Sequence, residues 1–224
     1  MARAEPLLHR DDPDREPLIG NIKVTREDWL AVAMEVLIVD GVEQVKILSL
    51  SERLGVSRSS FYWYFKSRQD LLDQLLASWE AKNTGGIVTQ CAKPSATITQ
   101  AVCNLFRCFV HDGLFDPKLD FAVREWARRS GTVRAVVDRS DDQRIDAIQA
   151  MFVRHSYSEE EATVRARILY YMQIGYYARE VREPLEDRLA LVPTYLFSFT
   201  GQEADPAEVA ALAAFARDHE ERTP

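Results

Sequence analysis

Apolar positions recur at helical spacing along almost the whole chain. Trp29, Ala33, Val36 and Leu37 fall on one stripe, preceded by Thr25 as an N-cap and by Val24 placed to staple onto Trp29, and Gly41 ends the stretch. Ile47, Leu50 and Leu54, at i, i+3 and i+7, predict a second short helix that Gly55 closes in the left-handed region. Ser57 then restarts the chain as an N-cap whose hydroxyl takes up a free backbone N–H, with Val56 stapled onto Phe61. Two helices joined by so tight a turn read as a helix-turn-helix. Downstream, Ser67 caps a fourth helix through Leu71 and Leu72, with Asp70 completing a box-like pair.

The periodicity stays helical to the end, with breaks expected at Gly85-Gly86, Pro94, Gly113 to Pro117, Ser130-Gly131, Ser156 to Ser158, Pro184 and Gly201 to Pro206. Between them run Ser95–His111, Lys118–Arg129, Thr132–His155, Glu159–Val181 and Glu186–Thr200, the last interrupted by Pro193. Asp205-Pro206-Ala207-Glu208 opens a final Ala-rich helix with a cap, a proline at the first position and an acid at the third. The expected fold is all-α: a three-helix helix-turn-helix domain over residues 22–72, then a helical-bundle domain over 73–224 for ligand binding and dimerisation. Residues 1–21, with Pro6, Pro13 and Pro17 among acids and arginines, show no periodicity and read as a mobile arm.

The second helix of the motif separates its faces. Phe61 and Phe65 point inward, which leaves Ser59 and Trp63 outside, flanked by Ser60 and Tyr62, with Arg58 at the exposed first turn. Such a face suits a major groove: small residues admit the backbone to base edges, arginine reads guanine bidentately, and hydroxyls hold phosphates. The DNA-contacting set expected is Thr25, Lys46, Ser57, Arg58, Ser59, Ser60, Tyr62, Trp63, Tyr64 and Lys66.

From about Thr25 to Leu72 the chain resembles the DNA-binding domain of the TetR family of bacterial transcriptional regulators. The likeness rests on Gly41 with Val45 and Ile47, on the turn Leu54-Gly55-Val56-Ser57, on the aromatic run Phe61-Tyr62-Trp63-Tyr64-Phe65, and on Lys66-Ser67-Arg68 with Leu71-Leu72. Lys46 departs from it, standing where the family usually has a capping Ser or Thr; lysine cannot cap, which leaves Ser49 or a water for that role, but its ammonium can meet a phosphate. Tyr64 stands where His is commoner, and either ring donates to a phosphate oxygen. The resemblance implies a homodimer formed mainly through the last two long helices, a roughly palindromic double-stranded operator, and a small-molecule effector that binds the regulatory helices and releases DNA.

Charge tempers this picture. The chain carries a formal −7, and within residues 22–72 Lys23, Arg26, Lys46, Arg53, Arg58, Lys66 and Arg68 are balanced by Glu27, Asp28, Glu35, Asp40, Glu43, Glu52 and Asp70. What counts is the local field, and Lys46, Arg58, Lys66 and Arg68 are expected around the recognition helix. Weak non-specific binding and dependence on paired half-sites follow.

At 224 residues and 46% hydrophobic content the chain holds this reading unit and one larger domain with a real core. No apolar run approaches 18 residues and the start lacks a signal-peptide pattern, so a cytoplasmic bacterial protein without membrane partners is expected. Glu159–Val181 is apolar on more than one face, which suggests burial on two sides. Ile168, Leu169, Met172, Gly175 and Tyr176, with Leu196, are the dimer candidates; Phe106, Phe109, Trp126, Tyr170, Gln173 and Tyr177 are the ligand-lining candidates for an apolar or aromatic effector. Cys91, Cys103 and Cys108 lack metal-site spacing and read as buried free thiols; His9, His111, His155 and His219 are scattered. No metal, cofactor or catalytic constellation can be assembled, so the chain is not expected to be an enzyme. The competing reading is an all-helical small-molecule binding protein or enzyme that uses the helix-turn-helix only as scaffold.

Overall fold

The computed structural model describes residues 24–220, all helices and turns with no strand among them; the expected N-terminal arm lies outside them. Helices α1 (Arg26–Asp40), α2 (Ile47–Leu54) and α3 (Arg58–Phe61) form the leading unit, followed by α4 (Arg68–Trp79), α5 (Gly85–Ala92), α6 (Ile98–Phe106), α7 (Pro117–Ala127), α8 (Gly131–Arg154), α9 (Glu159–Ala178), α10 (Leu185–Thr200) and α11 (Pro206–Glu220). No described helix is long and apolar enough to cross a membrane.

Local chemistry accounts for most of the boundaries. Thr25 and Asp28 cap α1 reciprocally: the Asp28 amide donates to Thr25 Oγ1 at 3.2 Å and the Thr25 amide donates to Asp28 Oδ2 at 2.8 Å, two orphan donors satisfied at once. Thr97, Asp116, Ser130 and Ser158 cap α6, α7, α8 and α9 one-sidedly, each side chain accepting from a single backbone amide three residues on. Gly55 ends α2 at φ 66°, ψ 32°, where a side chain would be strained.

Two apolar cores divide the molecule. The first gathers Trp29, Val36, Leu37, Leu50, Leu54, Phe61 and Phe65 and extends into Leu119, Val123 and Trp126 of α7 and Val133 and Val137 of α8. The second joins Ile87, Val102, Leu105, Ile148, Phe152, Leu169, Leu196 and Leu212 from α5, α6 and α8 to α11. α4 runs through position 72, so the leading unit is built onto the later helices through a continuous helix and a shared core.

Two expectations about breaks change. Gly85 and Gly86 do not interrupt the chain: α4 passes through a wider turn, Glu80–Thr84, directly into α5. Gly86 is there for packing, since a Cβ at that position would stand 2.0 Å from the Leu114 carbonyl oxygen. α10 likewise continues through Pro193, which is exposed.

Candidate nucleic-acid interface

Recognition geometry starts from the aromatic core under α3. Phe61 packs edge-on against Trp29 at 5.3 Å and stacks with Phe65 at 5.1 Å, all three buried. Anchored so firmly, α3 continues as tight turns through Tyr64, and its outer face is fixed in direction. Tyr62 and Trp63 stand 60% and 71% exposed; Arg58, Ser59 and Lys66 are exposed beside them and Ser60 is half-buried. Among the described residues neither Arg58 nor Lys66 closes an ion pair, so both charges face solvent.

Other expected contacts are placed differently. Ser57 holds the N-cap backbone conformation but makes no capping bond; its Oγ lies 2.7 Å from Ser59 Oγ, and Ser60 Oγ donates to the Ser57 carbonyl at 2.8 Å. The three hydroxyls thus bond along the edge of the helix instead of closing its end. Tyr64 turns its hydroxyl inward, donating to the Val24 carbonyl at 2.9 Å. Thr25 Oγ1 donates to Asp28 at 2.9 Å within the α1 cap. Lys46 occupies the α2 N-cap position without a capping bond, and its Nζ donates to Gln44 at 3.1 Å.

The expected basic cluster shrinks by one member. Arg68 is half-buried and donates from Nε and Nη2 to the carbonyls of Val45 and Val42, each at 2.6 Å. It ties the link between α1 and α2 to the start of α4, so its charge answers backbone dipoles there. Arg53 is likewise paired with Asp40 at 2.9 Å. Asp70 accepts from the Lys66 amide at 2.8 Å, one residue earlier than the Ser67 amide a strict box would use. That bond, joined by one from Gln74, holds the Asp70 carboxyl below its ordinary value.

Beyond α5 the six ligand-lining candidates fall into three places. Phe106, Phe109 and Gln173 line one cleft between α6, α9, α10 and α11, together with Met172, Tyr176, Arg188, Leu189, Val192, Tyr195 and Leu212. Trp126 instead belongs to the first core and faces a surface groove between α1, α7 and the end of α9, which Tyr177 also borders. Tyr177 stacks on Phe115 at 5.6 Å.

Tyr170 is not a lining residue at all. Its hydroxyl donates to Asp141 at 2.6 Å and accepts from Arg124 and Arg144 at 3.1 and 3.2 Å. These belong to a buried network in which Arg144, fully removed from solvent, bonds Asp120 at 3.0 Å and Thr84 at 3.0 Å, and Trp79 Nε1 donates to Asp120 at 2.9 Å. Burial alone would raise the Asp120 carboxyl, but the Arg144 and Arg124 guanidiniums overcome it and hold the group below its ordinary value. The Trp79 indole, bonded to Asp120 and with the Arg144 guanidinium 5.1 Å from its ring centre, thereby pins the end of α4 to the charged network of α7, α8 and α9.

The dimer candidates also divide. Leu169 and Leu196 are fully buried in the second core and cannot meet another subunit. Ile168 is 54% exposed and Gly175 is exposed, while Met172 and Tyr176 are half-buried beside the cleft. The outward apolar face is formed by Val164, Ile168 and Tyr171 on α9 and Leu191, Tyr195 and Phe197 on α10. The i, i+4, i+7, i+11 run from Val164 through Gly175 was the signal for it in the sequence.

The cysteines are buried as expected; burial pushes the Cys103 and Cys108 thiols up to about 12, which leaves them unreactive. The histidines are less scattered than their numbering: the His111 and His219 rings lie 4.1 Å apart.

Comparison with known proteins bears on the same segment. Residues 30–75 match the family model for bacterial regulatory proteins, tetR family. Over 53 residues the chain is 42% identical to the tetracycline repressor protein class C of Escherichia coli, and over 56 residues 32% identical to the HTH-type transcriptional regulator TtgW of Pseudomonas putida. Those stretches cover 24% and 25% of this chain and span only 24% and 42% of the two relatives. The fold is similar over a longer span. The Mycobacterium smegmatis AmtR crystal structure superposes with TM-score 0.59 at 18% identity, covering 88% of this chain and 95% of that one; a TetR/AcrR-family regulator from Thermobifida fusca gives 0.55 at 16%, covering 80% and 98%.

Proposed function

We propose that this chain, a TetR-family transcriptional regulator by its residues 30–75, acts as a homodimeric repressor that a small molecule releases from its operator. One observation carries the DNA-binding part: Arg58, Ser59, Tyr62 and Trp63 project from a helix whose opposite side is locked by Trp29, Phe61 and Phe65. Two adjoining large rings, Tyr62 and Trp63, held in water on a rigid support favour a partner that covers them. Their neighbours supply what a major groove asks for: Arg58 for a guanine edge, Ser59 and Ser60 for close backbone approach, and Lys66 with Lys46 for phosphates on either side.

Dimerisation is supported by the exposed apolar faces of α9 and α10, which a two-fold axis would bury against their copies. Such a pair would set two reading heads on successive turns of a roughly palindromic site. The cleft beside Phe106, Phe109 and Gln173 abuts those same helices, so its occupant would bias the geometry of the dimer, as coupling between distinct sites requires.

The test is selection of bound duplexes from a random library and from the DNA flanking the gene, followed by gel shifts over a salt series. Sequence-specific, salt-sensitive binding to a site with two-fold symmetry is the expected result. Its absence at micromolar protein would overturn the reading.

A further inference from the structure

The chemistry of the effector is written in the walls of the cleft. Phe106, Phe109, Met172, Leu189, Val192 and Leu212 form an apolar body. Gln173 is only 7% exposed, and its Nε2 is buried without a hydrogen-bond partner. One turn along α9 lies Tyr177, whose hydroxyl is also buried; the Gln173 amide leans on it without closing a bond of normal geometry. Burial raises the Tyr177 phenol, so it remains a neutral donor.

Arg188 reaches the cleft from α10. Its guanidinium sits 5.6 Å from the centre of the Tyr176 ring, and its charge is felt at the Tyr177 hydroxyl. Among the described residues it closes no ion pair. Glu183, the carboxylate in the lining, is engaged by the Tyr176 hydroxyl at 3.0 Å. A buried donor without an acceptor costs roughly 1–3 kcal/mol, and a guanidinium half-buried, as Arg188 is, attracts an oxyanion more strongly than one in open solvent.

We propose that the cleft takes a small organic carboxylate, its single ring or short alkyl chain among Phe106, Phe109 and Leu212 and its carboxylate bridging Arg188 and Gln173 Nε2. The proposal rests on the effector-released regulator described above and narrows its ligand from an apolar molecule to an apolar monoanion. At about 80 Å³ the cleft is tighter than the roughly 300–1,000 Å³ of usual ligand sites. Entry of a ring therefore spreads α10 from α9. Tyr176 and Tyr195, which wall the cleft, adjoin the outward face of those helices, so the spreading is transmitted to the dimer surface.

Phenylacetate, phenylacetamide and phenethylamine, which share one ring, test this by calorimetry and thermal shift on the full chain. The acid is expected to bind tightest, the amide more weakly and the amine least. Arg188→Gln is expected to weaken phenylacetate by about tenfold or more while leaving phenylacetamide unchanged; Gln173→Leu weakens both. A ligand-free melting temperature within about 2 °C of the parent certifies that Arg188→Gln is folded. Equal binding of amide and acid, undiminished acid binding by Arg188→Gln, or no binding of any of the three up to about 10 mM would each overturn the proposal. DNA binding measured in parallel separates the failures: an intact operator complex indifferent to the acid sinks the carboxylate alone, whereas loss of specific DNA binding sinks the regulator reading.

Discussion

Trp63 stands in water while Phe61 and Phe65, two residues to either side, are sealed in the core. The turns that carry α3 on past Phe61, closed by the Tyr64 and Phe65 amides donating to the Phe61 carbonyl at 3.0 Å, impose that contrast and give each exposed neighbour a distinct role. Arg58→Ala removes the guanidinium that, among the described residues, faces out from the reading face with no internal partner, so base preference at one position of each half-site is expected to relax at a cost of about 1–3 kcal/mol, read in competition gel shifts. Lys66→Ala is expected to weaken all sequences alike and to lower the slope of log K against log salt by about one per head. Asp120 belongs to stability instead. Its pKa is depressed below the ordinary 3.8 by Arg144 and Arg124 against the opposing effect of burial, so its contribution is complete above that value and is lost as pH falls through the folded one. Asp120→Asn leaves Arg144 buried without its closest carboxylate and is expected to cost about 3–5 kcal/mol by urea unfolding at neutral pH. That gap narrows as pH falls below 3.8, because the unfolded parent then takes up a proton at Asp120 that the variant has no carboxylate to bind.

Among the elements, caps and turns were the most legible in sequence because their physics is local. Thr25 and Asp28 are three residues apart and close on each other as the pattern predicts, and Gly55 adopts the left-handed conformation its position demands. Ser57 shows the limit of that logic: the residue type and backbone are those of a cap, but Ser59 Oγ competes for its hydroxyl. Thr25→Ala is accordingly expected to cost about 1 kcal/mol by chemical denaturation, and Ser57→Ala to stay within about 0.5 kcal/mol. Gly86 was misread as punctuation, since a glycine demanded by a close approach looks like one demanded by a turn. Gly86→Ala improves helix propensity by about 1 kcal/mol but drives a methyl into the Leu114 carbonyl. A net loss of about 1–3 kcal/mol in the same denaturation assay is expected.

At the scale of the molecule, the proposed regulation rests on the exposed apolar faces of α9 and α10 and on the cleft behind them. Ile168→Glu places a charge in the middle of the α9 face without touching the second core, so sedimentation is expected to show monomers and operator affinity to fall, with helicity unchanged. A dimer undisturbed by it would move the interface elsewhere. The sequence by itself determined the all-helical class, those helix boundaries that a local cap or turn sets, the helix-turn-helix with its inward and outward faces, and the apolar character of α9, all consequences of spacings within a few turns. Only the tertiary structure decided which apolar residues of α9 and α10 are core and which are surface, turning Leu169 and Leu196 inward and Tyr171 and Phe197 outward. It also diverted Tyr170 into an ion network and Arg68 onto backbone carbonyls, and brought Arg188 and Gln173 into the walls of one cleft. Periodicity reports that a face is buried, not against what. The partners of a long polar side chain come from helices dozens of residues away, set by packing that no local pattern encodes.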